Sequence, residues 1–111
     1  MVEQFKLHVV NLEPTIGAEM RKTRPCLAVS PDEMNRYLKT VMIVPLTSAQ
    51  RGLPTRILIK ATAKSGLNND SYAAIDQLKT VDKSRLSEAI GEISEAEKHA
   101  VSKTLKEMFD Y

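Results

Sequence analysis

The sequence predicts a mainly β domain: a small, strongly curved antiparallel sheet or partly open barrel, closed by one C-terminal helix. Three observations predict it. Short apolar runs recur along residues 4–93 and are separated by Pro, Gly and Asn punctuation. The one long stretch with helical periodicity, 95–109, comes last. It is preceded by Ser94-Glu95-Ala96-Glu97, a capping box with Ser94 as N-cap.

At 111 residues the chain has the length of a single domain, residues 1–111. It has no Trp and only five aromatic residues, so its core must be aliphatic. No apolar run has the length of a bilayer span. The N-terminus MVEQFKLHVV lacks a small-residue cleavage pattern, which argues against a signal peptide. The single Cys26 cannot form an internal disulfide, which fits a reducing cytoplasm. The formal net charge of +2 hides an asymmetry. Residues 1–87 hold 13 Lys/Arg against 8 Asp/Glu, and residues 88–111 hold 3 against 6. A basic body with an acidic tail is compatible with a polyanionic partner.

Residues 4–12, QFKLHVVNL, alternate as a strand, with Phe5, Leu7 and Val9 on one face and Lys6 and His8 on the polar one. No Cys, His or carboxylate stands at metal-ligand spacing from His8, so it reads as a half-exposed strand residue. Residues 13–24 form a loop, and Pro25 opens the next strand, Cys26 to Ser30. Its unbroken apolar run implies that both faces are covered, with Cys26 an inert core thiol. Residues 31–35 read as a turn or one helical turn. TVMIVPL, 40–46, is the most apolar stretch and reads as a central strand. RILIK, 56–60, and SYAAI, 71–75, are further strands, with Ile57 and Ile59 inward. Residues 78–93 read as short strands and turns. On the C-terminal helix Val101, Leu105 and Met108 make one stripe facing a core, flanked by Ala100 and Phe109.

Three places gather polar chemistry. The loop before Pro25 carries Glu19, Arg21, Lys22 and Arg24 within eight positions. Thr47 and Ser48 come directly after the central strand; they are either positioned hydroxyls or a plain Ser/Thr turn. Asp76 and Gln77 end a small-residue strand, where they can reach across a pocket or cap the next turn or helix.

The string NLEPTIGAEMRKTRPCLAVSPDEMN, 11–35, resembles the signature of the MazF/PemK toxin family. VPLTS, 44–48, resembles the family's second block, and SYAAIDQLKTVDKSRL, 71–86, its third. The blocks come in the family's order and cover most of the chain. The resemblance implies a small SH3-like barrel of the CcdB/PemK type with a C-terminal helix, forming a homodimer. It also implies the toxin half of a toxin–antitoxin pair, which cuts single-stranded RNA at short specific sequences without a metal or other cofactor. A separate antitoxin protein would cover the RNA groove.

Such cleavage uses the RNA's own 2′-OH, so no protein nucleophile is needed, and none is evident here. The reaction does need a proton acceptor, help for the departing 5′-oxygen, and positive charge aimed at the phosphate. Arg24 suits the last role, because its planar fork matches phosphate oxygens and stays charged. Thr47 can bond the same phosphate. Glu19 and Asp76 are the candidate bases; Glu19 could instead aim Arg24 through an ion pair, and Asp76 could contact a base edge or the antitoxin. Gly17, Lys22, Ser48, Arg51, Gln77 and Lys79 are the expected RNA contacts. Some family members carry a His after the loop Gly or an Arg two residues before the Asp; this chain has Ala18 and Ala74 there. The catalytic weight therefore falls on Arg24 with Thr47. Two alternatives stand beside this reading. One is a gyrase poison of the CcdB type on the same fold. The other is a non-catalytic SH3-like binding module, which the low aromatic content disfavours.

Overall fold

Seven strands and two helices make up the computed structural model, which describes residues 1–111. They are β1 (Lys6–Asn11), β2 (Thr23–Ala28), α1 (Asp32–Tyr37), β3 (Thr40–Thr47), β4 (Arg56–Ile59), β5 (Ser71–Ala74), β6 (Lys79–Asp82), β7 (Leu86–Glu92) and α2 (Glu95–Met108). Tight 3-10 turns at Ile75–Gln77 and Lys83–Arg85 come after β5 and β6. Every strand pair is antiparallel, in the order β4-β5-β3-β2-β1-β7, with β6 also on β3.

β3 makes the sheet curve. Residues 43–45 pair with β2, residues 40–43 with β6, and Leu46 and Thr47 with β5. The turn at 75–77 carries the chain from β5 to β6, so the two share β3 end to end and the sheet divides around it. The mostly β architecture with a C-terminal helix is the predicted one.

Apolar side chains fill both faces of the central strands. One core joins Leu7, Leu27, Val44, Leu46, Ile59, Ile75 and Ile93 to Val101 of α2. The other holds Val10, Leu12, Cys26, Ala28, Val41, Ile43 and Val81. Each such Leu, Ile or Val contributes roughly 1.5–3 kcal/mol when fully buried. Burial also pushes the Cys26 thiol up to about 12, so it stays protonated and inert. The capping box forms as predicted: Ser94 Oγ accepts from the Glu97 amide at 3.2 Å, and Glu97 Oε1 accepts from the Ser94 amide at 2.8 Å. Glu97 Oε2 also accepts from the Lys60 amide at 2.8 Å, tying α2 to the end of β4. No helix is long and apolar enough to cross a membrane.

Several local expectations change. His8 is 4 % exposed, not half-exposed. The pairing of β1 with β7 slips on both sides of it. The ring is thereby turned under Ser87, whose carbonyl accepts from Nδ1 at 2.8 Å. The second strand begins at Thr23, so Pro25 lies inside it, paired in register with Val9 and flanked by Arg24. That strand ends at Ala28, two residues before the predicted Ser30. The helical stripe reaches the core only through Val101 and Leu105; Met108 and Phe109 are 38 % and 69 % exposed, because α2 runs past the sheet.

Gly91 shows how tightly the far end is built. It pairs with Leu7 in β1, and a Cβ there would overlap the carbonyls of Lys64 and Ser65. Gly91→Ala should therefore lower stability by about 1–3 kcal/mol, the usual cost of overpacking, read from the urea midpoint.

Candidate functional site

The β2–β3 ladder sets the site. Its partners are Cys26 with Pro45, Leu27 with Val44 and Ala28 with Ile43. Continued two residues outward, that register brings Arg24 opposite Thr47. Arg24 Nη1 donates to the Leu46 carbonyl at 3.2 Å, and its Nε donates to the Arg21 carbonyl at 3.1 Å. Met20 Sδ lies 3.8 Å from Nη1. Those contacts fix the guanidinium plane and leave Nη2 for a ligand.

Thr47 Oγ1 accepts from the Ala49 amide at 3.2 Å, so its proton is free to be donated outward. Ala49 is held from its other side as well. Its carbonyl accepts from Arg56 Nη1 at 2.9 Å. Arg56 is only 8 % exposed, and its Nε and Nη2 grip Asp76 at 2.8 and 3.1 Å. Thr55 Oγ1 adds a third bond to Asp76 at 3.0 Å. Asp76, Arg56, Ala49 and Thr47 thus form one connected chain of hydrogen bonds. The Arg56 guanidinium drives the Asp76 carboxyl down from its ordinary 3.8 to about 2, with the Thr55 hydroxyl helping.

Arg24 and Thr47 stand in the wall between two clefts. One, about 500 Å³, is also lined by Glu19, Arg21, Arg51, Arg56 and Gln77, and is dominated by guanidinium groups. The other, about 420 Å³, adds Ser48, Leu67, Asn68, Asn69 and Ser71, with Arg24 as its sole charged member. A smaller hollow shares Glu19 and Gln77 with the first cleft and adds Asp76 and Lys79. The largest cleft, about 670 Å³, lies elsewhere, over His8 and β7, and contains none of the predicted site residues.

The structure therefore gathers Arg24, Thr47, Glu19, Asp76, Ser48, Arg51, Gln77 and Lys79 around one place. Gly17 and Lys22 line none of these clefts. Gly17 sits in the loop at a φ of +60°, its carbonyl accepting from Arg21. The Lys22 backbone closes the loop's base, bonding Leu12 and the Glu13 carboxylate. Glu19 does not pair with Arg24: its Oε2 lies 3.6 Å from Lys79 Nζ, and its Oε1 accepts from the Ile16 amide at 2.9 Å. Arg56 escaped the sequence reading. Alternation about Ile57 and Ile59 turned it outward, and only tertiary pairing with Asp76 reveals it. No group of three or more His, Cys, Asp or Glu side chains is placed to hold a metal ion.

The fold is thus a small divided β sheet with a C-terminal helix, and it carries a cleft lined by four Arg side chains at the mouth of its central strand. Residues 3–109 match the family model for the PemK-like, MazF-like toxin of type II toxin–antitoxin systems, and the chain belongs to that family. It is 28 % identical over 108 residues to Endoribonuclease EndoA of Bacillus subtilis, covering 96 % of this chain and 92 % of that protein. It is 29 % identical over 107 residues to Endoribonuclease MazF of Staphylococcus epidermidis, covering 95 % and 88 %. The crystal structure of MazF from Deinococcus radiodurans superposes with a TM-score of 0.83 at 23 % identity, over 96 % of this chain and 94 % of that one. A mycobacterial endoribonuclease solved with its cognate antitoxin gives 0.80 at 21 % identity, over 100 % and 99 %.

Breaking the Asp76–Arg56 pair should change acid stability in a defined direction. Because the folded carboxyl titrates near 2 rather than 3.8, its stabilisation is complete above about pH 4 and is lost as the pH falls towards 2. Asp76→Asn should be less stable than wild type at pH 7, and the gap should close between pH 4 and pH 2, monitored by urea denaturation across that range.

Proposed function

We propose that this protein is a toxin endoribonuclease that cuts single-stranded RNA at short specific sequences, using the RNA's own 2′-OH and no metal. The carrying observation is that Arg24 and Thr47 line the same two clefts beside the ends of β2 and β3, with further guanidinium groups around them. The endoribonuclease names of its Bacillus and Staphylococcus relatives support the same reading.

The 2′-oxygen gives its proton to the Glu19 carboxylate and bonds to the adjacent phosphorus while the bond from phosphorus to the 5′-oxygen breaks, and the departing 5′-oxygen takes up a proton from solvent water. The products are a 2′,3′-cyclic phosphate, open to later hydrolysis, and a 5′-hydroxyl. Arg24 Nη2 and the Thr47 hydroxyl donate to the phosphate oxygens, where negative charge builds in the transition state. Arg51 and Arg21 add field from the rim of the cleft. Of the two carboxylates, Glu19 is the better proton acceptor. Both Asp76 oxygens are engaged by Arg56, and a carboxyl titrating near 2 is a weak base. Asp76 instead positions Arg56 and, through Ala49, Thr47. Ser48, Gln77 and Lys79 contact the RNA on either side. Gly17 and Lys22 act through the loop: they shape its path so that Glu19, Arg21 and Arg24 face one cleft.

The functional unit is a homodimer working on mRNA in the cytoplasm and held in check by a separate antitoxin. A neighbour solved with its cognate antitoxin supports that partner. The exposed Met34, Tyr37 and Leu38 around α1 supply apolar surface for self-association. The gyrase alternative lacks a use for the Arg24–Thr47 phosphate site.

Purified protein should cut short single-stranded RNAs equally well with and without EDTA. Arg24→Ala should reduce the rate by about 100-fold or more while its circular dichroism stays unchanged. Undiminished cutting by that variant refutes the assignment, and inhibition of gyrase supercoiling by the wild type favours the alternative.

A further inference from the structure

We propose that the cleft between the end of β3 and residues 67–71 reads the base beside the scissile phosphate, with Asn68 and Asn69 as specificity-determining residues. It rests on the ribonuclease reading and deepens it.

The two clefts that meet at Arg24 and Thr47 differ in chemistry. The first carries four Arg side chains against one Glu, which suits phosphates. The second offers two amides, the Ser48 and Ser71 hydroxyls and the apolar surface of Pro25 and Leu67, with only the shared Arg24 charged. Apolar surface flanked by amide groups suits a nucleobase: the ring stacks or packs, and an amide meets a base edge with one donor and one acceptor. A phosphate held at the shared wall has a cleft on either side into which a neighbouring nucleoside can lie.

The asparagines also stand on a rigid base, as a reading element requires. Asp70 Oδ1 accepts from the Ala61 amide at 2.7 Å and closes the loop between β4 and β5. Ser65 is 2 % exposed, and its Oγ accepts from the Thr62 and Leu67 amides at 2.9 and 3.3 Å. The Lys64 carbonyl accepts from the Glu92 amide at 3.0 Å. Gly66 turns at a φ of +70° directly against the Ile90 carbonyl, where no side chain fits. Leu67 then packs on the main core, and Asn68 and Asn69 are exposed immediately beyond it. An element tethered on three sides holds the backbone that carries the two amides in place, so little backbone order is lost when a base binds.

The test is cleavage of a randomised single-stranded RNA library by the full-length protein, with product ends sequenced. In Asn68→Ala/Asn69→Ala the wild-type preference at one position adjoining the cut should fall by about 10-fold or more, the value of one good base-edge contact. Preferences at other positions should persist. The isosteric Asn68→Asp/Asn69→Asp variant keeps volume but turns donors into acceptors, so it should change which base is preferred at that same position. Unchanged preferences in both variants, or an equal loss at every position, overturn the proposal while leaving the nuclease intact. Absence of any cleavage by the wild type would instead overturn the ribonuclease reading, and this proposal with it.

Discussion

The register of β2 against β3 is the constraint on which the rest depends. Side chains alternate along a strand, so a slip of one residue would turn every side chain of β2 to the opposite face. Arg24 would then leave Thr47, and Cys26 and Ala28 would leave the core they share with Val41 and Ile43. The register is held because both faces are buried. The aliphatic packing that stabilises the sheet is thus the same force that aims the Arg24 guanidinium.

A second layer of constraint comes from charge. Arg56 is nearly buried, and removing an arginine from water is unfavourable unless its donors are met. Asp76, Ala49 and their neighbours meet them. The pair links three segments distant in sequence: the loop after β3, the start of β4 and the turn after β5. Through Ala49 it reaches the Thr47 hydroxyl, so the buried ion pair supports the group proposed to meet the reacting phosphate. Asp76 thus has a structural use, holding Arg56 in place, that involves no proton transfer.

Much of this was legible in the sequence because it obeys local rules. The strand at 40–46, the capping box at Ser94 and the helix behind it depend on periodicity and turn chemistry. Arg24 and Thr47 stand out through the motifs that carry the family resemblance. The hidden features depend on contacts between distant segments. The burial of His8 comes from a slip in pairing with β7, and that of Arg56 from Asp76, twenty residues away. The exposure of Met108 and Phe109 reflects where the sheet ends, which periodicity does not encode. Glu19 reads as a candidate base or as an ion-pair partner for Arg24, and the loop turns it towards Lys79 rather than Arg24.

Central to the proposed mechanism is that Arg24 and Thr47 serve one phosphate. A double-mutant cycle on RNA cleavage tests that most directly, with Arg24→Ala, Thr47→Val and the double variant compared by kcat/KM. Two donors to the same developing charge should be coupled by at least about 1 kcal/mol, so that the double variant loses clearly less than the product of the two single losses. Strictly multiplicative losses would mean that the two residues act at separate places, and would contradict the shared site.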